Sequence, residues 1–169
     1  MEKEIINRVA QSQLVTFDLE DYYPKGERKV LDVSEWLYEG IILREKEFRA
    51  YVDAHNWSNY QDAYVALHCS SDAIIPGWAF MLVASRLAPY AKKVVVGNLV
   101  DLETSLYQTI LENLDVSVFR DKPVIIKGCS HKPVPENAYI MAMVKIQEVA
   151  KSVMYGEACS SVPLFKKKK

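Results

Sequence analysis

Three short apolar runs, residues 63–68, 94–96 and 123–127, alternate along the chain with segments whose apolar residues recur at helical spacing. Each run is too apolar for a strand with one wet face, so each is expected to be covered on both sides, as parallel strands beneath helices are. Pro76 opens the first intervening helix and Pro89 stops it. The second helix carries Leu102, Leu106, Ile110, Leu111 and Leu114 behind a capping Asp101. The third carries Tyr139, Ala142, Met143, Ile146, Val149 and Val153, and Gly156 ends it.

Upstream, Leu14 to Leu19 and Val30 to Val33 read as two strands joined through Pro24 and Gly26. Asp32 and Glu35 have capping-box spacing before Trp36, which predicts a helix there. A second helix carries Phe48, Tyr51, Val52 and His55 on one stripe, and the first dozen residues read as a short amphipathic helix. The expected fold class is α/β, a three-layer sheet with three parallel βα repeats plus an N-terminal antiparallel hairpin. Length supports one domain, residues 1–169, with no linker. Trp36, Trp57 and Trp78 are expected in the core or at a subunit contact, and His55 is expected to pack or to lie at the surface rather than to do chemistry.

Charge narrows the partners. Lys and Arg number 21 against 22 Asp and Glu, a balance that argues against a generic nucleic-acid binder. The longest apolar stretch, residues 73–84, is shorter than the roughly 20 residues of a membrane span. Three cysteines cannot pair completely and no secretory signal precedes them, so a reducing cytoplasm is the expected location. Residues 166–169, all lysine, read as a solvated tail.

Ligands of parallel α/β sheets sit beyond the carboxyl ends of the strands. Those ends carry His68, Cys69, Ser70, Ser71 and Asp72, then Gly97 and Asn98, then Gly128, Cys129, Ser130 and His131. Cys159, Ser160 and Ser161 repeat the pattern near the C-terminus. The leading expectation is a thiolate metal site drawn from Cys69, Cys129, Cys159, His131 and Asp72, suited to zinc or an iron–sulfur cluster. Gly97, Asn98, Gly128 and Ser130 are candidate cofactor-binding positions, where backbone can approach a phosphate. Two alternatives stand beside it. One is an enzyme with a cysteine nucleophile, helped by His68, His131 or Asp72, acting on a small anionic or acyl substrate. The other is a noncatalytic interaction protein with structural cysteines.

Geometry limits which cysteines can cooperate. If the strand near Val65 lies between those near Val95 and Ile125, Cys69 and Cys129 stand one strand spacing apart, about 4.8 Å. A final helix of about 20 residues would carry Cys159 roughly 30 Å away, leaving a homodimer as its route to the pair.

The segments Phe17 to Tyr23, Trp36 to Gly40, Cys69 to Pro76 and Gly156 to Pro163 together resemble an uncharacterised bacterial family known only by a domain-of-unknown-function label. The resemblance covers nearly the whole chain and implies no established activity. Members of that family are often encoded near iron–sulfur assembly genes, so the resemblance implies iron–sulfur assembly proteins as partners and an accessory role in cluster maturation.

Overall fold

The computed structural model describes residues 13–128 and 130–168. The expected N-terminal helix and Cys129 lie outside the described residues. What is described is a mixed α/β structure with four α-helices and seven strands in two sheets. The strands are β1 Val15–Phe17, β2 Arg28–Asp32, β3 Tyr64–His68, β4 Lys93–Val96, β5 Pro123–Ile126, β6 Ser152–Glu157 and β7 Ser160–Lys166. The helices are α1 Glu45–Ala54, α2 Gly77–Leu87, α3 Leu99–Glu112 and α4 Glu136–Gln147.

The chain divides into two compact units. One runs from Pro24 to Ser105; the other joins the residues up to Tyr23 with those from Leu106 onward. The first holds the parallel sheet β2-β3-β4. Its core gathers Leu31, Val33, Phe48, Val52, Val65, Leu67, Val83 and Leu87. The second holds the sheet β1-β5-β6-β7, parallel except for β7. Its core gathers Phe17, Leu19, Tyr107, Leu111, Val124, Ile126, Ile146 and Val153.

The two units repeat one plan at a fixed spacing of 59 residues. Asp62 and Asp121 both adopt left-handed backbone, with φ of 57° and 56°. Their N–H groups donate to Tyr90 O and Val149 O, each at 2.9 Å. Lys92 N donates to Ala63 O and Lys151 N to Lys122 O. Phe48 and Tyr107, Val52 and Leu111, Val65 and Val124, and Leu87 and Ile146 fill matching core positions at the same interval. The first strand of each unit leads into an aspartate, Asp32 or Asp18, that caps a 3-10 turn, Val33–Trp36 or Leu19–Tyr22. In chain order the Pro24–Ser105 unit is therefore set between β1 and the rest of the sheet to which β1 belongs.

This arrangement corrects three expectations. The two N-terminal strands form no hairpin: β1 pairs with β5 and β2 pairs with β3. Asp18 caps a 3-10 turn in place of a reversal, and Leu19 in that turn is buried. The capping-box spacing at Asp32 and Glu35 yields only the 3-10 turn Val33–Trp36, because Leu37 to Ile42 closes a Tyr38–Ile42 bridge. The last helix ends at Gln147, and Val153 belongs to β6, where it is wholly buried. Ala150 N donates back to Ile146 O, and Lys151 N reaches Lys122 O to start the new strand.

In the Pro24–Ser105 unit one ion pair is buried. Arg28 meets Glu103 through Nε–Oε1 at 2.6 Å and Nη2–Oε2 at 3.2 Å, with side chains 12% and 5% exposed. Its remaining nitrogen, Nη1, donates to Pro24 O at 2.6 Å and Gly26 O at 2.7 Å. Removing one member of such a pair strands the other charge in a poorly hydrated place, at about 3–5 kcal/mol. Glu103→Gln is expected to cost about 3 kcal/mol in urea unfolding, and the pair Arg28→Met with Glu103→Leu to recover most of it. A Glu103→Gln loss below 1 kcal/mol would show the pair to be solvated.

Candidate functional site

β2 and β3 run parallel in register, so Asp32 stands beside His68 at their carboxyl ends. Asp32 Oδ1 accepts the N–H of Ser34 at 2.9 Å and of Ser70 at 3.0 Å. The Ser34 and Ser70 hydroxyls lie 3.0 Å apart, and His68 Nε2 is 4.0 Å from Asp32 Oδ2. Partial burial works to raise the Asp32 carboxyl, but bonds from the hydroxyl and N–H groups of Ser70 and Ser34 outweigh it and hold the pKa far below the usual range. The cluster is a staple that fastens the loop after β3 to the end of β2.

The sister unit builds the same staple from other residues. Asp18 accepts from Glu20 N at 2.9 Å and takes Lys127 Nζ at 2.8 Å, with Lys127 in the place of His68. Glu20 then accepts the N–H of His131 at 2.9 Å, which fixes the loop after β5. Ser130 Oγ donates to Lys132 O and accepts from Lys132 N, so it is spent within its own turn.

Cys69 is half-buried against the core, with Sγ 3.2 Å from Ser71 Oγ. Asp72 is exposed, and Cys159 is exposed in the turn between β6 and β7. Among the described residues no three His, Cys, Asp or Glu side chains come together to hold a metal. The strand order differs from the expected one: β3 lies between β2 and β4, not between β4 and β5, and β5 lies between β1 and β6 in the other sheet. The 59-residue spacing also places Gly128, not Cys129, at the position of Cys69. Cys159 moves the other way. Because β6 returns the chain alongside β5, with Ile126 opposite Tyr155, it brings Cys159 back to the sheet end from which the Gly128 loop leaves.

Gly97 and Asn98 also have an internal task. Asn98 Oδ1 accepts from Val100 N at 2.8 Å and Asp101 N at 3.1 Å, while Asp101 Oδ2 accepts from Asn98 N at 2.7 Å. That reciprocal cap occupies donors a phosphate would need, and a Cβ on Gly97, at φ 140°, would strike Asp101. His55 packs as expected. Its ring meets Trp36, Trp57 and Tyr60 at centroid distances of 5.2, 4.7 and 5.7 Å, and burial pushes its pKa down.

A concavity of ligand size lies in the second unit. It is an open groove of about 650 Å³ where α4 leaves the β6–β7 face uncovered. Ile126 ends β5 at its floor; Tyr139, Ile140 and Met143 of α4 form one wall, Tyr155 and Leu164 the other, and Glu136 and Asn137 stand at the helix start. Tyr139 and Tyr155 meet edge to face, 6.0 Å apart and 79° between planes. Tyr155 Oη donates to Gly128 O at 3.3 Å. A Cβ on Gly128 would lie 2.9 Å from the Tyr155 ring, so glycine makes room for that ring. The sister unit carries Cys69 and Val96 at the same two positions. Helical periodicity hides this groove, because Val153 fits the stripe of the last helix as well as a strand and belongs to β6. The signal was present: at a spacing of 59, Ser152 to Tyr155 align with Lys93 to Val96, a segment already legible as a strand.

Residues 3–167 match the family described as a protein of unknown function (DUF2480). No curated protein and no solved structure matches the chain.

Asp32 supplies a test of the staple. Its carboxyl is held below its unfolded value, so the stability it contributes is complete above about pH 4 and is lost as pH falls further. Asp32→Asn is expected to lower stability at pH 7 by about 2 kcal/mol and to flatten the acid limb of urea stability measured from pH 5 to pH 2. An unchanged acid limb would contradict the assignment.

Proposed function

We propose that this chain, which belongs to the DUF2480 family, is a binding protein whose groove between α4 and the β6–β7 face takes a small molecule with an apolar, ring-bearing body. The carrying observation is the groove's place and make-up. It lies at the carboxyl end of the parallel strand β5 and falls within the usual size of small-molecule sites, roughly 300–1,000 Å³. Its walls are aliphatic and aromatic, and the edge-to-face tyrosines offer a ring a stacking or edge contact. Glu136 is the one carboxylate among its lining residues, so an anionic ligand is disfavoured and a neutral or weakly basic one suits it. Asn137 and the Tyr155 hydroxyl are the polar groups that would fix orientation.

Nile red, a neutral apolar dye, tests this directly. Wild type is expected to bind about one equivalent saturably, with fluorescence enhancement. Tyr155→Ser and Leu164→Ser should each weaken binding about tenfold, a change of about 1.4 kcal/mol, with unchanged circular dichroism. Gly128→Ala should also weaken it by displacing the Tyr155 ring. Absence of saturable binding, or undiminished binding by folded Tyr155→Ser, would overturn the assignment.

A second reading keeps the cysteines. It is favoured by the return of β6, which brings Cys159 to the sheet end where the Gly128 loop begins. Cys129 follows Gly128 in the sequence, and thiolates from it and from Cys159 would suit zinc or an iron–sulfur cluster, with iron–sulfur assembly proteins as partners. Metal analysis after anaerobic purification is expected to find zinc or iron in wild type and to lose it in Cys159→Ser. Wild type reproducibly lacking both metals would remove this reading.

A further inference from the structure

α4 is apolar around nearly its whole circumference, which marks a helix buried on more than its sheet-facing side. Ala138, Ala142 and Ile146 face the sheet and are wholly buried, yet Ile140 and Val144, one turn apart on the outer side, remain 63% and 52% exposed. They form a ridge with a hollow on each flank. On one side lies the 650 Å³ groove; on the other, a hollow of about 310 Å³ lies against α3, lined by Leu111 and Met141. The polar groups of the smaller hollow are already engaged. Lys145 Nζ donates to Leu111 O and Glu112 O, at 2.5 and 2.6 Å, and Gln108 bonds Glu112. Covering that hollow would leave no charge without a partner.

We propose that a second copy of this chain packs on this face, α4 against α4 in antiparallel sense about a two-fold axis. A two-fold contact needs one surface that carries both knob and hole, and the Ile140–Val144 ridge between two hollows is such a surface. With the axis near Ala142, Ile140 of each copy meets Val144 of the other. Area supports the same occupant. Taking a fully exposed side chain of this size as roughly 150–200 Å², the exposed parts of Ile140, Val144, Tyr155, Val162 and Leu164 amount to about 450 Å². That is more than half of the roughly 800 Å² each partner gives to a standard interface, before any polar rim is counted. The sheet edge is a poorer route, because β7 carries Pro163 and Lys166. The sister helix α2 has no such ridge: Met81 is exposed at the place of Ile140, but Ser85 stands at the place of Val144.

The interface does not require an occupied groove, so the two assignments separate experimentally. Sedimentation velocity of the full chain between 1 and 100 µM should give twice the monomer mass of 19.3 kDa at the upper concentrations. Ile140→Glu and Val144→Glu should each shift the dimer–monomer midpoint at least tenfold upward, with unchanged circular dichroism. Both side chains are exposed, so neither change threatens folding. A wild type that stays monomeric at 100 µM, whatever else then covers α4, overturns the proposal, as does a dimer that persists in the folded double variant. A monomer that still binds Nile red leaves the groove assignment standing. A dimer that ignores the dye leaves the interface standing and removes the groove.

Discussion

The buried contact between Arg28 and Glu103 closes the Pro24–Ser105 unit, and the chain's connectivity demands that closure. β1 pairs with β5, so everything between Tyr23 and Leu106 must leave the second sheet and come back to it. Arg28 opens the first strand of the intervening unit and Glu103 sits in its last helix. Their bidentate pair brings the two ends together, while Nη1 of the same arginine holds Pro24 and Gly26. A second bond does the same outside the loop so closed: Tyr107 Oη donates to Leu19 O at 2.8 Å, from a fully buried ring. A desolvated ion pair seldom adds net stability over an apolar one, but it is intolerant of mismatched partners.

Local features of the fold were legible in the sequence, and distant ones were not. Pro76 marks the start of α2, and the apolar runs expected as strands form β3, β4 and β5. Phe48 and Val52 face the core as their spacing requires. The partners of β1 and β2 were missed, because pairing across tens of residues leaves no trace in the spacing of either strand. Val153 satisfied both a helical stripe and a strand, and only comparison of the two halves of the chain distinguishes them.

The candidate site was legible only in its location. The carboxyl ends of the strands do carry the polar side chains, yet most are spent on holding loops: Asp32 and Asp18 as staples, Asn98 and Asp101 as a reciprocal cap. Residue type at a strand end carries no trace of whether the group already has an internal partner. What distinguishes the second unit is a ring. Gly128 and Tyr155 stand where the sister has Cys69 and Val96, and the glycine leaves room at that strand end for the tyrosine ring.

The insertion of one unit within the other also orders events in time. On a ribosome, β1 is made early, but Val15 finds its partner only when Val124 has been synthesised, 109 residues later. At about 5–20 residues per second that wait lasts roughly 5–20 s. Meanwhile the Pro24–Ser105 unit, continuous in the chain and holding its own core, has all its strands in hand. The nascent protein therefore carries a finished half and an idle strand, whose exposed edge is the segment that most needs shelter until the chain is complete.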